Sequence, residues 1–521
     1  MPKIIKNEEL SPEVLRSMTV DEIDWVYNAL DICVTHEVHQ ELTKDMTNAA
    51  HNTAAFSHSL MAPILEMTLR GVRIDLRERD RVLADFRYKH QAVASNLKEI
   101  VEEGIGFAPF NYRSPAQLKQ LFYRVMGYKS IKKRNANGQY TPTVDRDALE
   151  KLQKHWTAGP LCRHIIFLRE LDKDIQLLQT DIDDDGRMRT NYNIAGTNTG
   201  RLSSSESDYG TGTNNQNIKH ALRKIFIPDE GMKFCNVDLE QADARNVGAI
   251  CWENFVETKG ETFAGAYLDA CESGDLHTTV CRMAWPDLEW AIDAVTWRST
   301  ADATAYREMS YRDLAKRLGH GTNYLGTPRT MAAHTKVEIK PIEVFQTRYF
   351  TAFPCIPEWH GYVSEQVSQF GYLETPHFHR RRYFFGRPDD ARTLREAVAF
   401  APQSMTADEI DTGLLNLWRH LPAVQLLIQV HDSILFQYPE ELEAELIPQA
   451  IKLLTIEWEL KRGRKFSVPV EAKIGWNWSN ASADNPSGLA KWRGPNTDTR
   501  TRPVVQASRG FSLSEALNAR T

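Results

Sequence analysis

Val424-Gln-Leu-Leu-Ile-Gln-Val-His-Asp-Ser-Ile-Leu-Phe-Gln-Tyr438 holds two β-rich apolar runs separated by a two-residue break. That pattern predicts a hairpin with His431-Asp432 at its tip. A carboxylate between strands this apolar is costly unless something compensates it, and a metal ion does so well. A turn Asp facing water satisfies the same pattern. The hairpin therefore gains meaning only from a second acid.

Met232-Lys-Phe-Cys-Asn-Val-Asp-Leu239 supplies one. It reads as a strand ending in Asp238, with Asp243 and Arg245 following on a helix start. Leu222 to Pro228, just before it, reads as another strand. Two strand-end aspartates suit a site in which two Mg²⁺ ions roughly 3.5–4 Å apart clamp an in-line phosphoryl displacement. Mg²⁺ takes one or two carboxylates plus substrate phosphates, so Asp238 and Asp432 suffice.

A phosphate-binding side should be basic. Tyr311-Arg-Asp-Leu-Ala-Lys-Arg-Leu-Gly-His-Gly-Thr-Asn-Tyr-Leu-Gly326 places Arg312, Lys316, His320 and Tyr324 four apart. On a helix these drift only about 120° in total, forming one slowly winding stripe. Its cationic half suits a triphosphate and its planar half suits stacking on a base. A surface helix with scattered cations has the same look. Gly319 and Gly321 each cost about 1 kcal/mol of helix propensity, which close approach by a large group would explain.

Composition bounds the rest. A chain of 521 residues exceeds one ordinary domain. Its 42% hydrophobic and 25% charged content is that of a globular protein, and a net charge of −6 leaves room for a local basic patch. Seven scattered cysteines with no Cys-x-x-Cys pair argue against a disulfide framework and a zinc site. The N-terminus carries acids early and does not read as a signal peptide. No uninterrupted apolar run approaches membrane-spanning length, so no membrane partner is expected.

The first part of the chain reads as helices. Ser17 to Thr43 is capped by Thr19, and Ala55 to Ile74 is broken by Gly71. Arg77 to Glu103 follows, and then shorter helices from Ser114, Asp145 and Leu161. Asp181-Ile-Asp-Asp-Asp-Gly186 lacks the glutamate of a calcium loop and reads as a solvated turn.

Asp238-Leu-Glu-Gln-Ala-Asp-Ala-Arg245, the 310–326 helix and Val430-His-Asp-Ser433 resemble, in order and spacing, motifs A, B and C of family A DNA polymerases, the bacterial DNA polymerase I type. Within that family the motifs resemble those of the phage branch. Thr199-Gly-Arg-Leu-Ser-Ser204 with Gln216-Asn-Ile218 resembles the primer-side segment, and Asp275-Leu-His277 the fingers signature. Pro402-Gln-Ser404 with Ala407-Asp408 resembles the helix beneath the nascent pair.

The resemblance implies an α/β (α+β) right-hand fold. It assigns 1–45 to the end of a 3′→5′ exonuclease domain, 46–190 to the thumb and 191–260 to the first part of the palm. The fingers would take 261–372, the second part of the palm 373–480, and a disordered tail 481–521. The implied activity is a DNA-directed DNA polymerase, a nucleotidyltransferase that extends a primer 3′-OH with dNTPs. Asp238, Asp432 and the Leu239 carbonyl would bind two Mg²⁺ ions, with Mn²⁺ as a substitute. His277, Arg312 and Lys316 would hold the dNTP phosphates, Lys316 also as general acid, while Asp243, His320 and Tyr324 face its sugar and base. Arg201, Gln403 and His431 would touch the primer terminus, and Arg381 and Arg382 template phosphate. The implied partners are primer-template DNA, dNTPs and a separate exonuclease or replisome factor. The implied setting is phage replication in the cytoplasm of a bacterial host. A single-subunit RNA polymerase and an inactive nucleic-acid-binding relative are the rival classes.

Three positions depart from the family. Asp243 stands where Glu is usual, Ser433 where a Glu adjoins the metal aspartate, and His320 where Phe or Tyr is usual. Tyr27-Asn-Ala-Leu-Asp31 resembles the last exonuclease motif, but too few residues precede it to hold the other acids, so no proofreading is expected of this chain. Phe511 to Leu517 in the tail carries a capping box.

Because Asp243 is one methylene shorter than the usual acid, ribonucleotide rejection is expected to be weak and to rise in Asp243→Glu. Steady-state kcat/KM for dATP over ATP in both proteins measures this; equal ratios refute it.

Overall fold

The computed structural model describes residues 12–135, 138–207, 210–290, 300–306, 308–495, 497–498 and 500. Its centre is a five-stranded antiparallel sheet of β1 (Met232–Leu239), β2 (Gln425–Val430), β3 (Ser433–Pro439), β4 (Val470–Gly475) and β5 (Ala490–Lys491), in the order β2-β3-β1-β4-β5. The hairpin forms as read. Val430 pairs with Ser433, and His431 takes φ 56°, the left-handed region that a two-residue loop between right-twisted strands needs.

Alternation along β1 gives the sheet two unlike faces. Cys235, Val237 and Leu239 join Ile434, Phe436 and Ala472 in the main core. Phe234 and Leu435 join Ile218, Leu222, Phe226 and Trp478 in a second core on the other face. Asp238 lies on that second face at the strand end, opposite Ser433 on one neighbour and Glu471 on the other.

Among its helices are α1 (Val20–Lys44), α2 (Leu76–Glu99), α3 (Ala158–Leu178), α4 (Ala242–Lys259), α5 (Leu276–Ala284), α6 (Tyr311–Asn323) and α7 (Ala391–His420). α1 starts at a Thr19/Glu22 capping box, and none of its residues is buried. α2 and α3 pack together, and a separate helical core runs from Leu97 to Leu168. α4 and α7 lie under the sheet in the main core. Among the described residues no helix is long and apolar enough to cross a membrane.

Four readings need correction. Residues His220–Ile225 form a 3-10 helix rather than a strand, because Leu222 and Ile225 bury at a spacing of three. α6 ends at Asn323, where Tyr324 caps it and Leu325 turns to φ 56°. The acidic turn is ion-paired rather than merely solvated, since Arg189 binds both Asp183 and Asp185. The tail expected to be disordered from 481 instead supplies β5, and Arg500 donates to the carbonyls of Gly488 and Ile474 at 2.6 and 2.9 Å. Residues 501–521, with the Phe511–Leu517 segment, lie outside the described residues.

Phe436 is fully buried in β3 whereas Phe385 is 97% exposed. Phe436→Ala should lower unfolding stability by about 3–5 kcal/mol, and Phe385→Ala by less than about 0.5 kcal/mol. Urea unfolding monitored by circular dichroism gives both.

Candidate active site

Strand pairing brings the two acids together. The N–H of Leu239 donates to the carbonyl of Asp432 at 3.0 Å, so the end of β1 and the tip of the β2-β3 hairpin are tied through their backbones. Gln429 Nε2 donates to the His431 carbonyl at 2.7 Å and braces the turn. Burial and the charge of Asp432 push the Asp238 carboxyl up to about 6; Glu471 adds to this, while Lys473 and Lys316 oppose it. Burial likewise raises Asp432, with Asp243 contributing. Two half-buried carboxylates, the charge of one raising the other, suit a cation. Among the described residues no group of three His, Cys, Asp or Glu ligands stands together, so protein donors alone would leave a cation under-coordinated.

α6 delivers the cations. Its N-terminal cap is Ser310, whose hydroxyl accepts from the Asp313 N–H at 3.0 Å. Arg312 donates two hydrogen bonds to Asp275, at 2.8 and 3.0 Å. Burial pushes the Asp275 carboxyl up, but the Arg312 fork and the Thr278 hydroxyl outweigh it and hold the group at about 2. Burial and the Arg312 charge push His277 on α5 down to about 4, so its imidazole is neutral at pH 7. Lys316 is exposed on the same face.

The planar half of the stripe also assembles. The His320 and Tyr324 rings lie 4.7 Å apart at 61°. Surrounding protein holds His320 below the usual imidazole range. Met331 presses on Gly321, where a Cβ would meet its sulfur at 2.6 Å. That glycine is explained by internal packing rather than by a ligand.

Asp243 is held by three side-chain donors. Its Oδ1 accepts from Thr406 Oγ1 at 2.9 Å and from Arg201 at 3.3 Å, and its Oδ2 accepts from the Tyr324 hydroxyl at 3.2 Å. The turn bearing Arg201 is seated on Arg380. Gly200 has φ 82°, and a Cβ there would meet the Arg380 guanidinium at 2.7 Å. Arg380 in turn pairs with buried Asp408 at 2.5 Å.

Gln403 is half-buried midway along α7, and His431 is exposed at the hairpin tip. Arg381 and Arg382 sit farther out, each already paired: Arg381 with Glu374 at 2.8 Å and Arg382 with Glu396 at 3.0 Å. Together with Arg380 they line a groove of about 680 Å³ whose other wall includes Thr47, Thr53 and Ser57. Sequence reasoning gave no role to Thr406, Glu471 or Lys473. Asp275 was marked only within its motif. The i+2 spacing of Glu471 and Lys473 puts both on one face of β4.

A family model described as DNA polymerase family A matches residues 80–480. Among curated proteins, the chain is 26% identical over 438 residues to a thermostable DNA polymerase I of Thermus filiformis, covering 81% of this chain and 47% of that one. It is 27% identical over 415 residues to DNA polymerase I of Geobacillus stearothermophilus, covering 75% and 42%. The chain thus spans about half the length of the curated relatives it matches. A solved structure described as the POL domain of Pol1 from M. smegmatis in complex with DNA primer-template and dNTP superposes with a TM-score of 0.64 at 22% identity, covering 81% of this chain and 69% of that one. The arrangement around the central sheet is accordingly the palm, fingers and thumb of a right hand. With more than three quarters of its length matched by that family model, the chain belongs to DNA polymerase family A.

Proposed function

We propose that the protein is a template-directed DNA polymerase that adds dNTPs to a primer 3′-OH with two divalent ions, Mg²⁺ or in its place Mn²⁺. The observation that carries the reading is the pair Asp238 and Asp432, joined by the Leu239–Asp432 backbone bond and close enough to Lys316 for its charge to act on Asp238. The donor set fits such ions. Two carboxylates and the Leu239 carbonyl are hard oxygen ligands, and phosphate oxygens of the substrate would complete the shell. When bound, the metal would supply Lewis-acid activation of the 3′-OH and neutralise charge on the phosphates.

The chain's own residues do the rest. Arg312 and His277 would bind the triphosphate, His277 accepting a proton as the anion arrives. Lys316 would hold charge on the departing pyrophosphate and protonate it. Tyr324 and His320 would position base and sugar, and Asp243 would face the sugar 2′ carbon. Arg201, Gln403 and His431 would border the primer terminus, and the groove beside Arg381 and Arg382 would take template backbone. Palm boundaries of 191–260 and 373–480, fingers of 261–372 and a thumb of 46–190 belong to the same reading. The phage-like motifs favour genome replication in a bacterial cytoplasm, with a separate exonuclease or replisome factor as partner. In this reading proofreading falls to that separate partner; Tyr27 and Asp31 stand on α1, none of whose residues is buried.

Primer extension on a primed DNA template with Mg²⁺ tests the reading, with dNTPs and NTPs in parallel. Asp432→Ala should reduce the rate on the order of 10³-fold, the several kcal/mol a metal contributes, and Lys316→Ala by about 10²–10⁴-fold. Undiminished extension by Asp432→Ala would sink it.

The His277 pKa near 4 gives a pH dependence. A histidine depressed in the folded protein contributes stability above its unfolded value of 6.5, and this is lost as pH falls through 4. A bound triphosphate raises that pKa, so dNTP affinity should strengthen as pH falls from 6.5 towards 5, and His277→Asn should flatten the slope. Fluorescence titrations of dTTP at several pH values measure it; parallel slopes in both proteins would refute the role.

A further inference from the structure

Thr406 is fully buried on α7, and it reaches the one carboxylate that the proposed function sets against the nucleotide sugar. Three observations describe the contact. Thr406 Oγ1 lies 2.9 Å from Asp243 Oδ1 and 3.0 Å from the Pro402 carbonyl. The side-chain amide of Asn246, also fully buried, donates to that hydroxyl oxygen at 3.2 Å. The same Nδ2 donates to Glu409 Oε2 at 3.2 Å, which fixes the amide between α4 and α7.

The hydroxyl has one proton to give. With Asn246 donating into its oxygen, the choice lies between a carboxylate and an amide carbonyl, and the charged acceptor forms the stronger bond. Thr406 therefore donates to Asp243. Adding Arg201 on the same oxygen and Tyr324 on the other, three donors hold the group. A carboxylate has about four lone-pair sites. Here three are committed to protein donors, and the side chain is drawn back against α7.

We propose that Thr406 is a positioning residue that sets sugar selectivity by anchoring Asp243, so that the carboxylate cannot turn to accept a hydrogen bond from a ribose 2′-OH. The inference rests on the reading of Asp243 as the sugar-facing acid. It assigns to this chain a second determinant, outside the substrate's reach, that offsets the shorter acid. Removing the hydroxyl frees a lone pair on Oδ1 and loosens the side chain. A ribonucleoside triphosphate then gains an acceptor that the wild type withholds, whereas a deoxynucleotide has nothing to donate to it.

The test is single-nucleotide incorporation by the full chain, with KM and kcat measured separately for dATP and ATP. The proteins are wild type, Thr406→Val, Thr406→Ala, Thr406→Ser and Asp243→Ala. Thr406→Val should raise the ATP-over-dATP ratio of kcat/KM by about tenfold, the scale of one hydrogen bond to a charged group. The gain should lie mainly in a lower KM for ATP. Thr406→Ser, which restores the donor, should return the ratio to that of the wild type. A thermal melt accompanies each protein, and Thr406→Ala carries the test if the Val variant does not fold. A wild-type ratio in the hydroxyl-free variants, with Asp243→Ala altering it, would overturn the role of Thr406. An unchanged ratio in Asp243→Ala as well would overturn the reading of Asp243 itself, and the proposal with it. A changed ratio that Thr406→Ser fails to restore would show that packing, not the hydroxyl, is responsible, and would also overturn the proposal.

Discussion

The bond from the Leu239 N–H to the Asp432 carbonyl, 3.0 Å long, joins chain segments almost two hundred positions apart and fixes where two acids stand. Register is what makes it possible. β1 pairs with β3 through seven consecutive residues, from Met232 opposite Pro439 to Asp238 opposite Ser433. A slip of one residue would carry every side chain of the strand to the opposite face, Asp238 among them. The two cores on either side of the sheet, Cys235 and Val237 on one and Phe234 and Leu435 on the other, forbid that slip. The apolar sheet is thus what holds two like charges close against their repulsion, and part of its stability is spent on doing so.

Around that pair the arginines are set before any polyanion arrives. Arg312 is forked onto Asp275, Arg201 touches Asp243, and Arg380 is paired with Asp408. Each acid fixes a long side chain in one geometry, which reduces the rotamer entropy lost on binding. Each also lowers the net charge, so that a chain of net charge −6 presents oriented donors rather than a diffuse positive field. Among the described residues Lys316 forms no ion pair, which suits the acid role proposed for it.

The hairpin, the strand ending in Asp238 and the stripe on α6 were legible because each is local: a period of two, a period near 3.6 and a two-residue break. The family resemblance joined them. What escaped depends on neighbours distant in sequence. Thr406 meets Asp243 from 163 residues away, and nothing in Met405-Thr406-Ala407 marks it as more than a helix position. Residues His220–Ile225 have strand-like composition, but burial of Leu222 and Ile225 under the sheet decides for a 3-10 turn. The polar composition after Ala481 suggested disorder, yet Leu489 is buried and Arg500 ties the segment back to Ile474. Composition describes what a segment can bury alone, whereas an edge strand borrows its partner.

That edge strand bears on the charge balance of the site. Ser433 stands beside Asp238 on β3, so the hairpin contributes no second carboxylate there, while Glu471 stands beside it on β4. Glu471 is bound by Lys473 at 2.9 Å and by Lys491 at 2.8 Å, the latter carried by β5. The two lysines pull the Glu471 carboxyl below its usual range, against the opposing effect of burial, and Lys473 also moderates the rise of Asp238. Without β5 the carboxylate beside Asp238 would lose one of its two cations, and its repulsion of Asp238 would grow. The segment after Ala481 thus reaches the site through Glu471, the carboxylate that Lys491 pairs with and that stands beside Asp238 on β4.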